Sequence, residues 1–190
     1  MDEPKDSSIG SSKSPRTSIS QHRTLLIIAQ DILRILAALL SAASIAVMVT
    51  NNQTVFLFAI PFEAHFYYQP TLKFFVAANG VVASFSLLTL IMNLLLLKRQ
   101  PSPTFHFFVF VHDIVLTVLL IAGCAAATAI GYVGQYGEDH VGWQPICDHL
   151  RKFCRTNLVS LLLSYFSFFA YFAIILLSPF KCPSSSSPNN

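Results

Sequence analysis

A long apolar stretch that contains two charged residues constrains this chain more than any other feature of its sequence. The stretch runs from Leu25 to about Val49 and reads LLIIAQDILRILAALLSAASIAVMV. Its length predicts a membrane span, since about 20 apolar residues rising about 1.5 Å each cross a hydrocarbon core of about 30 Å. Asp31 and Arg34 lie inside it and share one helix face. A charge at membrane depth costs at least about 2.5 kcal/mol on insertion scales, so both side chains should face other helices and have partners.

The composition indicates an integral membrane protein. Hydrophobic residues make up 54% of the 190 residues and charged residues only 11%, whereas soluble domains carry about 25% charged residues. Further apolar runs follow at about 74–97, 105–133 and 158–177. We therefore predict an all-α membrane protein with a four-transmembrane-helix bundle over residues 25–181. The polar segment 1–24 is predicted to be a disordered tail, and 182–190 a short tail.

The distribution of Lys and Arg predicts how the bundle is oriented. Four spans put both termini on one side of the membrane. That side also holds the linker between the second and third spans, and its cations are Lys5, Lys13, Arg16, Arg23, Lys98, Arg99 and Lys181. On the other side, carboxylates at Glu63, Glu138, Asp139 and Asp148 offset Lys73, Arg151, Lys152 and Arg155. Because Lys and Arg are enriched in cytoplasmic loops, both termini are predicted to be cytoplasmic.

The third span supplies a candidate partner for Arg34. Arg34 and Asp113 each lie about eight or nine residues into a span that starts on the cytoplasmic side, roughly 12–14 Å deep. An Arg34–Asp113 ion pair is therefore predicted, with Asp31 accepting a second hydrogen bond from the guanidinium. With His112, this cluster has two interpretations: a proton or ion path, or a buried pair that fixes how two helices dock. We favour the buried pair, because no series of polar residues in the spans is evident that leads from this cluster to the outer side of the membrane.

Small residues recur at every fourth position in two of the predicted spans. They are Ala38, Ala42 and Ala46 in the first span and Gly123, Ala127 and Gly131 in the third. Such faces let helices approach closely, so these two faces are predicted to meet. A short strand is also predicted near 55–58, in the first outer loop.

The predicted outer loops contain two candidate modification features. Cys147 and Cys154 lie where disulfides persist. On one straight helix they would be about 10 Å apart, so a bond requires the segment to turn back, and two free thiols are the alternative. Asn52 begins a glycosylation sequon. On the cytoplasmic side, Cys182 lies just inside the membrane boundary and is a candidate for palmitoylation.

No sequence pattern typical of catalysis is present. The chain has no Gly-rich phosphate loop, no nucleophile elbow and no standard metal-ligand spacing. We therefore predict a protein that is not an enzyme, with no catalytic, cofactor-binding or metal-binding residues. The lipid bilayer is the expected partner, and nucleic acid is not.

Several of these residues together resemble a known family. The chain resembles the CASP-like proteins, relatives of the Casparian strip membrane domain proteins of land plants and similar in fold to the MARVEL domain. The resemblance covers about Leu25 to Lys181 and is carried first by an Arg in the first span and an Asp in the third, at Arg34 and Asp113. Further familial features are Asp31 in LLIIAQDILRI, Thr50-Asn51, FFVAANG in the second span, and HVGWQPICDHLRKFC with His140, Trp143, Cys147 and Cys154. The stretch AIPFEAHFYYQP departs from the first outer loop of the true Casparian strip proteins.

The resemblance implies a multi-pass plasma-membrane protein that works as a scaffold. Members of the family associate with themselves, as a dimer or larger homo-oligomer, and with related members as hetero-oligomers. Some form immobile platforms that exclude diffusing components and gather cell-wall-modifying enzymes. The alternative hypothesis is a small channel or transporter subunit that uses the intramembrane cluster of Arg34, Asp113, Asp31 and His112.

Overall fold

The computed structural model describes residues 15–57, 60–96, 103–138, 140 and 142–178 and contains four long helices. The helices are α1 (Pro15–Val49), α2 (Pro70–Leu96), α3 (Pro103–Tyr136) and α4 (Arg151–Leu177). Each contains a segment long and apolar enough to cross a membrane, at Thr24–Val49, Pro70–Leu95, Phe107–Tyr136 and Arg151–Leu177. The predicted four-span helical bundle is therefore confirmed.

Several helix boundaries differ from those predicted. Helix α1 begins at Pro15, so residues 15–24, which were assigned to a disordered tail, are helical, although the segment apolar enough to span a membrane begins at Thr24. Three of the four helices begin at a proline, whose fixed φ suits the first helical turn and whose missing N–H is not needed there. Helix α4 begins at Arg151 rather than near Leu158. Residues 1–14 and 179–190, which include most of both predicted tails, lie outside the described part.

The four helices form a square in which each packs against two neighbours. Helix α1 packs against α2 and α4, and α3 packs against the same two helices, so α1 and α3 face each other across a diagonal. Gln30, near the start of the first span, donates hydrogen bonds from Nε2 to the Ile174 carbonyl (3.2 Å) and to Ser178 Oγ (3.4 Å) at the end of α4. The start of the first span and the end of the last span therefore meet at one end of the bundle, which we call the termini end.

This arrangement corrects the prediction that the small faces of the first and third spans meet. A Cβ added at Gly123 of α3 would lie 3.1 Å from the Ala78 Cβ of α2, and one at Gly131 would lie 3.6 Å from Asn157 Nδ2 of α4. The small face of α3 therefore packs on its two neighbours. On α1, Ala42 and Ala46 point outward and are exposed. Spacing identifies a face that permits close approach, but it does not identify the helix that approaches.

Apolar side chains fill the bundle in two layers. One cluster contains Ala37, Val82, Leu116, Leu120, Ala170, Tyr171 and Ile174, and the other contains Met48, Leu72, Phe75, Cys124, Ala127 and Leu161. Within an 18-residue apolar window of each span, between 33% and 39% of the residues are buried, so most residues of these windows face outward. The outward side chains are themselves largely apolar, with Leu39, Leu94, Phe108 and Phe166 each more than 60% exposed. A surface of this kind requires lipid or another membrane protein as its neighbour.

The opposite end of the bundle carries a β-hairpin and a disulfide-closed loop, and we call it the hairpin end. Strand β1 (Asn52–Leu57) pairs antiparallel with β2 (Ile60–His65), and a 3₁₀ turn at Phe66–Tyr68 leads into α2. Residues 55–57 of the predicted strand lie in β1, and residue 58 lies outside the described residues. Strand β1 begins earlier than predicted, and β2 was not predicted. After α3, a bridge pairs Glu138 with Trp143. Gly137 has φ +74°, and a Cβ there would lie 2.5 Å from the Trp143 carbonyl oxygen, so only glycine fits this turn.

Candidate functional site

The centre of the bundle holds an ion pair between helices that do not pack directly. Arg34 Nη1 donates to Asp113 Oδ1 and Arg34 Nη2 donates to Asp113 Oδ2, both at 2.7 Å. The two residues are 3% and 1% exposed. Two parallel charge-assisted hydrogen bonds are the strongest form of arginine–carboxylate contact. Because α1 and α3 lie on a diagonal, this pair joins the two through the middle of the bundle.

Asp31 lies apart from this pair. Its Oδ1 accepts a hydrogen bond from Asn93 Nδ2 at 3.1 Å, which joins α1 to α2. The predicted hydrogen bond from Arg34 to Asp31 is absent from the described hydrogen bonds, and Arg34 Nε is buried with no partner among the described residues. The guanidinium directs both terminal nitrogens at one carboxylate across the bundle, which leaves Nε away from Asp113. Sequence spacing placed Asp31 and Arg34 on one face but did not account for Asn93 as a competing partner.

His112 lies at the margin of the cluster. Its Nδ1 is 3.7 Å from Asp113 Oδ1, and its side chain is 30% exposed. The ring centroid lies 5.3 Å from that of Phe85 on α2. A separation of 3.7 Å exceeds a hydrogen bond, so the imidazole is an aromatic neighbour of the carboxylate rather than its partner.

Serine hydroxyls join α1 to α4 over two successive turns of α1. Ser41 Oγ lies 2.8 Å from Ser167 Oγ. One turn further on, Ser44 Oγ donates to the Ser160 carbonyl at 2.8 Å, and Ser160 Oγ donates to the Ser44 carbonyl at 2.7 Å. All four serines are 0% exposed. Such reciprocal bonds leave few polar atoms unpaired and permit close backbone approach, as small polar residues do in membrane interfaces.

A second set of polar contacts joins α4 to α2 and α3. Ser164 Oγ donates to Asn79 Oδ1 at 2.9 Å, and Cys124 Sγ lies 3.2 Å from Ser164 Oγ. The Tyr171 hydroxyl hydrogen-bonds Ser86 Oγ. No polar ladder that crosses the bundle was evident from the sequence, whereas the structure has these contacts from Gln30 at one end to Ser160 near the other. The signal in the sequence was the recurrence of Ser160, Ser164 and Ser167 on one face of α4, at spacings of four and three.

The predicted disulfide between Cys147 and Cys154 is confirmed, with a Cα–Cα distance of 5.8 Å. Cys147 lies in a turn before α4, and Cys154 lies in the first turn of that helix. The required change of chain direction thus occurs between them. A Cβ at Gly134 would lie 3.7 Å from Cys147 Sγ, so the bond also holds the loop against the end of α3.

The other candidate modification sites are separate from the ion pair. Asn52 is exposed at the start of β1, at the hairpin end. Cys182 lies outside the described residues. Within the described ranges, no three His, Cys, Asp or Glu side chains converge into a group that could hold a metal ion.

A square of four spanning helices, joined by buried serine contacts and one diagonal ion pair, defines a multi-pass membrane protein. The family model of the Casparian strip membrane protein domain matches residues 23–170. The chain therefore belongs to this family, as its resemblance to the CASP-like proteins predicted.

Curated relatives from several land plants are similar to the chain over most of its length. "CASP-like protein 1F2" of Ricinus communis is 42% identical over 169 residues, which is 88% of this chain and 84% of the relative. "CASP-like protein 1F3" of Populus trichocarpa is 40% identical over 85% of this chain and 84% of its own length. "CASP-like protein 1F1" of Arabidopsis thaliana is 33% identical over 77% of this chain and 84% of its own length. No solved structure shows significant similarity to the chain.

Proposed function

We propose that this protein is a non-enzymatic scaffold of the plasma membrane that associates with copies of itself and with related family members. The observation that carries the proposal is the way its intramembrane charges are used. Arg34 and Asp113 are buried and bonded to each other at both terminal nitrogens of the guanidinium. A charge pair of this kind fixes the positions of the two helices. Its terminal nitrogens and its carboxylate oxygens bond each other, so they are not free to bind a passing solute. The result is a rigid unit suited to assembly.

The outward face of α1 is the surface that we assign to self-association. Ala42 and Ala46 are exposed there, one turn apart. In lipid, helices associate through close packing, and small side chains allow a second backbone to approach. Large residues cover the outward face of α4, as Phe166 and Phe169 do at 62% and 59% exposure, whereas α3 also exposes Ala122, Ala125 and Ala129.

The hairpin end is the surface that we assign to wall-modifying partners. With both termini cytoplasmic, this end faces the cell wall. It presents exposed aromatic side chains at Tyr67, Tyr68 and Trp143, which are 44%, 59% and 58% exposed. The hairpin has two described strands; β1 contacts α4, and a further strand is expected to pair with β2. Exposed aromatic residues and open edges are features of protein-binding surfaces.

Fluorescence recovery after photobleaching of a tagged full-length copy in a plant plasma membrane tests the proposal. We expect slow recovery in discrete patches. Ala46→Phe should speed recovery because the larger ring prevents close approach at α1, whereas Val159→Phe adds the same ring to the exposed surface of α4 and should leave recovery slow. Fast, uniform recovery of the unchanged protein would overturn the proposal.

A transport function is the alternative that one observation favours. Buried polar side chains recur from Gln30 to Ser160, across much of the bundle. However, the hydroxyls of Ser41, Ser44 and Ser160 form hydrogen bonds with groups on the neighbouring helix, and these three side chains are fully buried. If these groups formed a path, purified protein in vesicles would conduct ions or move solute, and Asp113→Asn would abolish flux without preventing assembly. We expect no flux from the unchanged protein.

A further inference from the structure

A large cleft lies at the hairpin end, between the hairpin, the disulfide loop and the adjoining ends of α3 and α4. Its volume is about 1100 Å³, slightly above the roughly 300–1,000 Å³ that small-molecule sites occupy. Its walls include Tyr68, Tyr132, Trp143 and Leu158. The cleft continues from the water-facing loops to Leu161, which lies nearly three turns inside α4. A site with this extent can hold a molecule that is polar at one end and apolar at the other.

One polar side chain that lines this cleft has a buried oxygen with no hydrogen-bond partner among the described residues. Asn157 lines the cleft and is only 9% exposed. Its Oδ1 is buried, and no described residue donates to it. Gly131 lies opposite on α3, where a Cβ would come within 3.6 Å of Asn157 Nδ2, so the glycine keeps the space beside the amide open. Buried polar groups are nearly always paired with protein, water or ligand, and a molecule bound in the cleft can supply the missing donor.

Cationic side chains lie on the water-facing side of this amide. Arg151 and Arg155 line the cleft, as do the carboxylates of Glu63 and Asp148, and neither arginine forms a salt bridge with any described residue. They are one turn apart on α4. With a rise of about 1.5 Å per residue, Arg155, Asn157 and Leu161 follow Arg151 at depths of about 6, 9 and 15 Å. Down the helix, the order is therefore cation, amide, apolar side chain. Arg155 and Asn157 point to different sides of α4, about 200° apart, and both line the cleft because it extends around the helix.

This order matches one class of membrane lipid. Phospholipids place a phosphate above the linkage to the chains, and the chains below it. The linkage in a glycerophospholipid is an ester, which accepts hydrogen bonds but cannot donate one to Asn157 Oδ1. A sphingoid linkage is a secondary amide beside a hydroxyl, so it both donates and accepts. The primary amide of Asn157 also has one acceptor and two donors, which makes it complementary to that linkage.

We propose that this cleft binds a phosphosphingolipid, with its phosphate on Arg151 and Arg155 and its amide linkage on Asn157. The lipid chain follows Leu158 and Leu161 toward the middle of the bilayer. The Cys147–Cys154 disulfide also lines the cleft and holds its loop in place. This inference goes beyond the scaffold function and does not depend on it, because a single copy of the chain forms the whole cleft.

Native mass spectrometry of the full chain, released from detergent micelles with added lipid, tests the inference. The two probes are sphingomyelin and a phosphatidylcholine with matched chains, which share a headgroup and differ in the linkage. We expect the protein to retain about tenfold more sphingomyelin, since one additional net hydrogen bond corresponds to about that ratio. Equal retention of the two lipids, or retention of neither, would overturn the proposal.

Three variants identify which side chain is responsible. Asn157→Leu should bring the ratio of the two lipids to about one, and it should fold, because it removes an unpaired buried amide; an unchanged or raised melting temperature without lipid checks this. Arg155→Gln should weaken retention of both lipids and preserve their ratio. Lys152→Gln is the matched control, since Lys152 is exposed on the same turn but does not line the cleft. If Asn157→Leu folds and keeps the preference for sphingomyelin, the assignment of the linkage is wrong.

Discussion

The Arg34–Asp113 pair predicts a strongly non-additive set of variants. Arg34→Met leaves a carboxylate with no partner in the core, and Asp113→Leu leaves a guanidinium with none. The double variant removes both charges and replaces them with apolar side chains of similar volume. Each single variant should therefore be severely destabilised, while the double variant should approach the stability of the unchanged protein.

The geometry of the pair gives the expected loss in the free energy of unfolding for each variant. The pair forms two charge-assisted hydrogen bonds of 2.7 Å, each worth about 1.5–3 kcal/mol. Both residues are at most 3% exposed, so solvent does not screen the pair. Loss of one member of a buried pair costs about 3–5 kcal/mol, and we expect that cost for each single variant. The double variant should cost less than about 2 kcal/mol, because replacing a whole buried pair by apolar residues is often near neutral.

Two assays measure the effect. Equilibrium unfolding of detergent-purified protein gives the free energy of unfolding of the unchanged chain, both single variants and the double variant. Surface labelling in cells gives the fraction delivered to the plasma membrane, which should fall for each single variant and recover in the double. Lys152→Met, which removes an exposed cation from α4, should match the unchanged protein in both assays. Additive costs in the double variant would refute the argument that the two charges act as a pair.

Two further predictions concern the hairpin end and the helix contacts. Cys154→Ser should lower the free energy of unfolding by about 2 kcal/mol through loss of a short-loop disulfide, and a reducing agent should lower the melting temperature of the unchanged protein but not of the variant. Gly123→Val should cost about 1–3 kcal/mol, because its side chain would collide with Ala78 and force α2 from α3. Gly80→Ala is the matched control, since its nearest neighbour would be 4.0 Å away. An equal loss of thermal stability from both glycine variants would contradict this account of the contact.

The spans and the level of the ion pair were predictable from sequence because the bilayer imposes a length and a depth scale. Arg34 and Asp113 lie at similar distances into spans of the same direction, and the structure brings them together. That match depends only on the rise of a helix. It does not depend on which helices are neighbours, so the diagonal arrangement of α1 and α3 could not be deduced from it.

Features set by competition between partners were not predictable. Asp31 hydrogen-bonds Asn93 rather than Arg34, because the bundle brings α2 beside α1. Strand β2 contains Pro61. A proline usually counts against a strand, because it cannot donate a backbone hydrogen bond, but it is tolerated in an edge strand. Helix α4 starts at Arg151 because a charged first turn is stable beyond the apolar core, where hydropathy gives no signal.

The diagonal ion pair also has a consequence for biosynthesis. Arg34 and Asp113 are 79 residues apart in the chain, so at about 5–20 residues per second the ribosome makes the carboxylate several seconds after the guanidinium. During that interval the first span has a charge without its final partner, and its long side chain must reach toward the aqueous boundary. Only when the third span arrives can the arginine withdraw into the bundle. Any chain that ends before Asp113 therefore has a first span that cannot settle at its final depth, a state that cellular quality control can recognise.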